Sequence, residues 1–191
     1  MIAAVIWAAE LIRDKEVLRK ELIRFHVVGA SDTAYDQQLK LKVRDAVIRS
    51  LQTELSDMRD VNQAKKYLQQ NLLKIQEVAG NTLRELGCGD SVRVQLCEEA
   101  FSRRDYDTFS LPSGVYQSLR IVIGEGQGKN WWCVVFPDLC LGATREEFED
   151  TASCAGIPHH LTATLEGETG YEIRFFILEL LGRVENMLHR G

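Results

Sequence analysis

The chain has 191 residues, a formal net charge of −5 and a hydrophobic content of 45%. This composition is too apolar for a disordered protein, and the length allows a substantial core without disulfides or metals. With 28 Asp and Glu against 23 Lys and Arg, the chain lacks the basic excess that non-specific nucleic-acid binding requires. No apolar run reaches the ~20 residues of a membrane-spanning helix.

The first 21 residues are expected to form a segment of their own, before a single globular domain over residues 22–191. An apolar run, Ile2–Ala9, leads directly into charged residues. One interpretation is an amphipathic helix from Trp7 to about Leu18 that docks on the domain. The alternative is the remnant of an export or membrane segment. A secretory signal carries a basic region before its apolar stretch, whereas Met1 leads straight into this run.

One strand and two helices are predicted in the first half of the chain. The alternating stretch Leu22–Val28 indicates a half-buried strand, and residues 29–32 a turn. Thr33 is placed to cap a helix. The apolar stripe of this helix comprises Leu39, Val43, Val47, Leu51 and Leu55. Asp60 starts a second helix, and Gly87 ends it as a C′ glycine does.

The second half reads mainly as sheet. Residues 92–97 and 119–123 alternate between apolar and polar side chains, and Trp131–Phe136 is a continuous run of residues that favour strands. Pro112 and Pro137 begin turns beside these strands.

Residues 141–170 show no periodicity and are predicted to be an irregular loop. A helix over Glu172–His189 closes the chain. Its predicted inward side chains are Ile173, Phe176, Ile177, Leu180, Leu181, Val184 and Leu188. The order β-α-α-β-β-β-α predicts an α+β fold, with a mostly antiparallel sheet and helices packed on one face.

Three glycines lie at alternate positions between two predicted strands, namely Gly124, Gly126 and Gly128. With Lys129 they are reminiscent of a phosphate loop. That motif needs Ser or Thr after the lysine and then a helix, whereas Asn130 and a strand follow here. A glycine-rich hairpin loop is therefore the favoured interpretation, and no cofactor site is predicted.

Trp131 and Trp132 point to opposite faces because they are neighbours on one strand. One ring can enter the core, and the other is a candidate anchor for a partner protein. The alternative is that the terminal helices cover both rings.

Cys133 allows three interpretations among the five cysteines of the chain. It is a small buried hydrophobic residue, a nucleophile with His26 as its base, or one half of a disulfide with Cys140 across the turn at Pro137. No Cys-x-x-Cys motif occurs, and the pair His159-His160 is more typical of a solvated loop. No metal site is predicted.

Three stretches together carry a long and specific pattern. Leu22–Val47 follows an Ile-Arg-x-x-x-x-Ala-Asn-Ser-Asp strand and turn and an Asp-Gln-x-Leu-Lys-x-x-Val-Arg-Asp helix, with Gly-Ala-Ser-Asp where Ala-Asn-Ser-Asp is usual. Leu111–Cys140 reads LPSGVYQSLRIVIGEGQGKNWWCVVFPDLC, and Tyr171–Gly182 reads YEIRFFILELLG. In these stretches the chain resembles the stage II sporulation protein R family.

The resemblance implies a secreted signalling protein of sporulation and not an enzyme. Members are made in the forespore and exported to the space between the forespore and mother-cell membranes. There they activate the sigma-E processing peptidase, a membrane-embedded aspartic protease that removes the pro-sequence of sigma-E. The chain is then membrane-proximal through this partner or through an upstream segment.

Two competing functions come from other classes of protein. One is a thiol-dependent hydrolase or transferase that acts on cell-wall peptide through Cys133. The other is a purely structural partner of the septal membranes.

An activator must bind the active state of its target more tightly than the inactive state. The surface expected to do so comprises Gly124, Gly126, Gly128, Asn130, Trp131 and Trp132. An extracytoplasmic location also favours a disulfide between Cys133 and Cys140.

Overall fold

The computed structural model of the chain describes residues 2–138 and 145–189. The helices are α1 (Ile2–Glu21), α2 (Ala34–Leu55), α3 (Val61–Gln70), α4 (Leu72–Glu85), α5 (Arg145–Cys154), α6 (His159–Glu166) and α7 (Glu172–His189). The strands are β1 (Ile23–Val28), β2 (Val92–Phe101), β3 (Arg104–Asp105), β4 (Ser110–Leu111), β5 (Gly114–Ile123) and β6 (Asn130–Phe136). The predicted α+β class is confirmed. No helix within these residues combines the length and apolar character needed to cross a bilayer.

The main sheet has four strands in the order β2-β5-β1-β6, and β3 pairs with β4 in a small second sheet. β1 runs antiparallel to β6. The prediction that β1 is half-buried was wrong, because all six of its residues are buried. Arg24 and His26 are 0% and 3% exposed. The reason is the interior position of β1 between β5 and β6, which alternation along one strand does not reveal.

The chain divides into two compact units. The first unit, here called the terminal unit, comprises Met1–Leu22, Glu98–Gln117 and Leu141–Gly191. The second, the sheet unit, comprises Ile23–Cys97 and Ser118–Cys140. Strands β2 and β5 divide their residues between the two units.

Local capping chemistry sets the bounds of the helices in the sheet unit. The Thr33 side chain accepts a hydrogen bond from the Asp36 N–H at 3.2 Å, as the capping pattern predicts. All five residues of the predicted α2 stripe are buried. The predicted second helix is two helices, because Asn71 leaves helical geometry and its side chain donates to the Tyr67 carbonyl at 2.8 Å. Gly87, with φ of 75°, ends α4 as predicted.

The prediction of an irregular loop over residues 141–170 was wrong where the structure describes it. α5 and α6 lie there, and they bury Phe148 and Ala152 in one helix and Leu161 and Leu165 in the other. Each pair has helical i, i+4 spacing. Helices of 10 and 8 residues are too short to display a repeated stripe in the sequence.

The buried face predicted for α7 was wrong, although the helix itself is present. Its buried residues are Leu178, Glu179, Gly182 and Asn186. The Ser113 N–H donates to the Glu179 carboxylate at 2.6 Å, and the Asn186 amide donates to the Phe101 carbonyl at 2.6 Å. A Cβ added at Gly182 would lie 1.5 Å from the Ser113 carbonyl oxygen. The polar and small face of α7 therefore packs inward because it satisfies backbone groups of residues 98–117.

Candidate functional site

Two turns of the sheet unit pack against each other. The turn at residues 29–33 follows β1, and the loop at residues 124–130 joins β5 to β6. The Gly128 N–H donates to the Gly29 carbonyl at 2.9 Å, and the Gln127 N–H donates to the Ala30 carbonyl at 3.2 Å. The Lys129 N–H donates to the Asp32 carboxylate at 2.6 Å. We call residues 29–33 and 124–131, together with Tyr35 and Lys40, the glycine-loop site.

The glycines of the loop allow this close packing. A Cβ on Gly128 would lie 2.3 Å from the Ser31 carbonyl oxygen, and one on Gly126 would lie 2.5 Å from Val122 Cγ1. Gly124 and Gly126 also have φ of 56° and 67°, in the left-handed region. The Gly124 N–H donates to the Ser91 carbonyl at 2.8 Å. The glycines thus serve the packing of the loop.

The turn before α2 is held by its own side chains. The Ser31 hydroxyl donates to the Asp36 carboxylate, and the Gln37 side-chain amide donates to the Ser31 carbonyl at 2.8 Å. Thr33 caps α2 from the same turn. The surface that receives the glycine loop is therefore ordered by contacts within residues 29–37.

A buried lysine lies beneath the two turns. Lys40 is 5% exposed, and its ammonium group donates to the Lys129 carbonyl at 2.9 Å and to the Gln37 side chain. Burial lowers the pKa of Lys40, and the nearby charges of Arg44 and Lys129 lower it further, while Asp32 opposes them. The lysine thereby joins α2 to the loop through one charge-assisted hydrogen bond.

Both predicted tryptophans are half-buried, and they lie on opposite faces of the sheet. The Trp131 ring meets the edge of Phe25 with centroids 5.9 Å apart, and the guanidinium carbon of Arg44 lies 4.8 Å from the Trp131 centroid. Trp132 stacks on His26 at 4.7 Å. Neither ring is fully exposed or fully buried, so each keeps an accessible part.

The exposed side chains of the site are polar or aromatic. Glu125, Gln127 and Lys129 point outward from the loop, between the packed glycines. Tyr35, in the first turn of α2, is 55% exposed. Sequence reasoning missed Tyr35, Lys40 and the whole receiving turn as parts of this site. The long motif over residues 22–47 was the available signal, but nothing in one sequence pairs that motif with the loop at residue 124.

The interpretation of Cys133 as a nucleophile with His26 has no support in the strand register. Phe25 lies opposite Cys133, and His26 lies opposite Trp132, so the thiol and the imidazole project from opposite faces. Cys133 is 4% exposed. Its proposed disulfide partner, Cys140, lies outside the described residues, and the bridge stays a prediction.

Two further titratable clusters among the described residues lie in the terminal unit. His160 Nε2 lies 2.9 Å from the Asp14 carboxylate, and Arg174 pairs with the same carboxylate. Carboxylate oxygens of Glu149, Glu166 and Glu168 lie within 4.8 Å of one another. Acidic groups at this spacing are common without a metal, and no other feature there indicates one.

Comparison with known proteins matches the part of the chain that contains the glycine-loop site. The family model described as stage II sporulation protein R matches residues 19–146. A relative named Stage II sporulation protein R, from Bacillus subtilis (strain 168), is 30% identical over 181 residues, which cover 85% of this chain and 81% of the relative. No solved structure gives a significant match.

Proposed function

Because this chain belongs to the stage II sporulation protein R family, we propose that it is a secreted signal between the two compartments of the sporulating cell. The forespore exports it to the space between the forespore and mother-cell membranes. There it activates the sigma-E processing peptidase, a membrane-embedded aspartic protease, which removes the pro-sequence of sigma-E. The protease supplies the catalytic groups, and this chain supplies binding energy.

The observation that carries the proposal is the preorganised backbone of the glycine-loop site. A ligand shifts its target towards the active state only by binding that state more tightly. A surface that is ordered before binding loses less conformational entropy on association. Three hydrogen bonds from residues 127–129 to residues 29–32 order this loop in the isolated chain. A loop with this fixed shape can bind the active state of the protease more tightly than the inactive state.

The contacts to the protease are assigned to side chains that the packing leaves accessible. Tyr35 and Trp131 supply aromatic surface, and the loop side chains Glu125, Gln127 and Lys129 form a polar rim. Aromatic anchors inside a polar rim are typical of protein interfaces. Each of these five side chains can be altered without touching the glycine packing.

The test is reconstitution in a non-sporulating host. The chain is targeted outside the membrane and produced with the sigma-E processing peptidase and pro-sigma-E, and cleavage of pro-sigma-E is measured. We expect cleavage to depend on the chain and to fall about tenfold or more in Tyr35→Ala and Trp131→Ala, as loss of an anchor predicts. Trp7→Ala is the matched control, because Trp7 is 40% exposed on α1 in the other unit.

Two results would count against the proposal. A folded, exported chain that leaves pro-sigma-E uncleaved would contradict activation itself. If neither Tyr35→Ala nor Trp131→Ala lowers cleavage, the glycine-loop site does not contact the protease. Cys133→Ser is expected to keep full activity. A folded Cys133→Ser chain without activity would instead support the thiol-dependent hydrolase or transferase.

A further inference from the structure

α7 presents an apolar surface to solvent. Six large side chains, between 44% and 79% exposed, form one stripe at helical spacing. We call this the α7 stripe, and its members are Ile173, Phe176, Leu180, Val184, Met187 and Leu188. Scattered exposed hydrophobic residues are ordinary, but a continuous row of this kind marks an interaction surface.

The stripe faces outward because the opposite side of α7 already contacts residues 101–113. Glu179 binds the Ser113 N–H and hydroxyl, and Asn186 binds the Phe101 carbonyl. Gly182 sits against the Ser113 carbonyl with no room for a side chain. Turning the stripe inward would break all three contacts and leave buried polar groups without partners. Its covering surface must therefore come from outside the terminal unit.

We propose that the α7 stripe is a dimer interface, in which a second copy of this chain packs its own α7 antiparallel across the first. A two-fold interface must be self-complementary. The stripe meets this condition around Leu180, because Phe176 and Val184 lie four residues before and after it. Ile173 and Met187 lie seven residues before and after it. In an antiparallel pair Leu180 packs against Leu180 of the second copy. Phe176 then packs against Val184, and Ile173 against the flexible Met187 side chain.

The polar side chains at the helix ends favour the same arrangement. α7 carries Glu172 in its first turn and His189 in its last turn. An antiparallel partner brings His189 of one copy beside Glu172 of the other, at both ends of the interface. The two helix dipoles also oppose each other in this orientation. A parallel pair would place like groups together.

Charge favours a second copy over a lipid surface as the occupant of the stripe. A standard interface takes ~800 Å² from each partner. The stripe adjoins a groove of about 710 Å³, which Phe176 and Leu180 also line, so contact can extend beyond the helix. Helices that lie on membranes carry Lys and Arg on their polar face. α7 has three glutamates against two arginines, without such a basic excess, on a chain of net charge −5.

Sedimentation equilibrium of the full chain tests the proposal, independently of the proposed function. We expect a concentration-dependent species of twice the 21.7 kDa chain mass within the ~100 μM range in which weak interfaces form. Leu180→Glu places two carboxylates at the two-fold axis and should weaken dimerisation by about a hundredfold or more. Glu172→Lys removes the carboxylate beside His189 of the other copy and should weaken dimerisation several-fold. Adding His189→Glu places a carboxylate beside the introduced lysine and should restore dimerisation.

A matched pair separates the stripe from general surface hydrophobicity. Leu188 is 79% exposed on α7, and Leu73 is 77% exposed on α4. Leu188→Glu should lower the dimer fraction, and Leu73→Glu should leave it unchanged, with circular dichroism confirming that both variants fold. A monomer at every concentration would overturn the proposal. So would a dimer that Leu180→Glu and Leu188→Glu leave intact, or a monomer that sediments with phospholipid vesicles through the stripe.

Discussion

Buried polar side chains in this protein serve backbone groups far away in the sequence. The Lys40 ammonium binds the Lys129 carbonyl, and the Glu179 carboxylate accepts from the Ser113 N–H at 2.6 Å and from its hydroxyl at 2.9 Å. Glu179 also accepts from Arg183 at 2.7 Å. Because a buried group without a partner costs more than an exposed one, each of these residues holds two segments in one arrangement.

Neutralising Glu179 should destabilise the chain in a pH-dependent way. Burial raises the pKa of Glu179, but the hydrogen bonds from Ser113 and Arg183 outweigh it, so the pKa lies below its ordinary value of 4.5. A lowered carboxyl pKa stabilises the folded state above pH 4.5, and this stability is lost as the pH falls through the folded pKa. Glu179→Gln should therefore lower the free energy of unfolding by about 2 kcal/mol at pH 7 and by less at pH 3.

Urea unfolding at both pH values gives this difference. Glu77→Gln, an exposed change on α4, is the control and should leave the free energy of unfolding unchanged at both. An equal loss at pH 7 and pH 3 in Glu179→Gln would show that the carboxylate charge is not what stabilises the contact.

At the scale of elements, two helical glycines have opposite roles. Gly80 lies inside α4, where an added Cβ would meet only the end of the Arg84 side chain, at 3.5 Å. Gly182 lies inside α7, where an added Cβ would meet the Ser113 backbone at 1.5 Å. Helix propensity treats both positions alike, and only the surroundings distinguish them.

Alanine at these two positions should change stability in opposite directions. Gly80→Ala should raise the free energy of unfolding by up to about 1 kcal/mol, because it restricts the unfolded chain and favours the helix. Gly182→Ala should lower it by about 3 kcal/mol or more, because α7 must move away from Ser113. Thermal and urea unfolding measure both. A shift of the same sign in the two variants would contradict the assigned packing of α7.

At the scale of the whole molecule, the two units interleave along the chain. The terminal unit draws on three separate segments and the sheet unit on two. No linker composition separates them, so each unit is complete only when distant segments have come together. The cysteines divide in the same way, with Cys88, Cys97 and Cys133 in the sheet unit and Cys154 in the terminal unit.

The redox state of the exported chain is a prediction at this scale. Of the five cysteines, Cys133 and Cys140 are expected to pair with each other in an oxidising compartment, so that three remain as thiols. Thiol titration after denaturation should therefore count three in exported protein and five in protein made under reducing conditions. Cys140→Ser should give the same count under both conditions. Five thiols in exported wild-type protein would contradict the bridge.

The helix ends and most of the strand positions can be predicted from the sequence alone. Thr33, Asp60 and Gly87 bound their helices where their capping chemistry places them, because each cap involves residues only a few positions away. The strands β1 and β6 coincide to within a residue with the stretches predicted for them, whereas β2 and β5 contain their predicted stretches, residues 92–97 and 119–123, and are four or five residues longer. The glycine loop and its tryptophans are contiguous in the sequence, and their role as a contact surface stays a prediction.

Tertiary structure decided which surfaces meet. The apolar side of α7 was expected inside, yet Glu179 and Ser113 are 66 residues apart in sequence and their contact turns that side outward. Likewise, the turn at residues 29–33 receives a loop whose Lys129 lies 97 residues after its partner Asp32. Hydrophobic periodicity shows which side of an element is apolar. Which side is buried depends also on the distant backbone groups that need hydrogen-bond partners, and those are set only when the chain has folded.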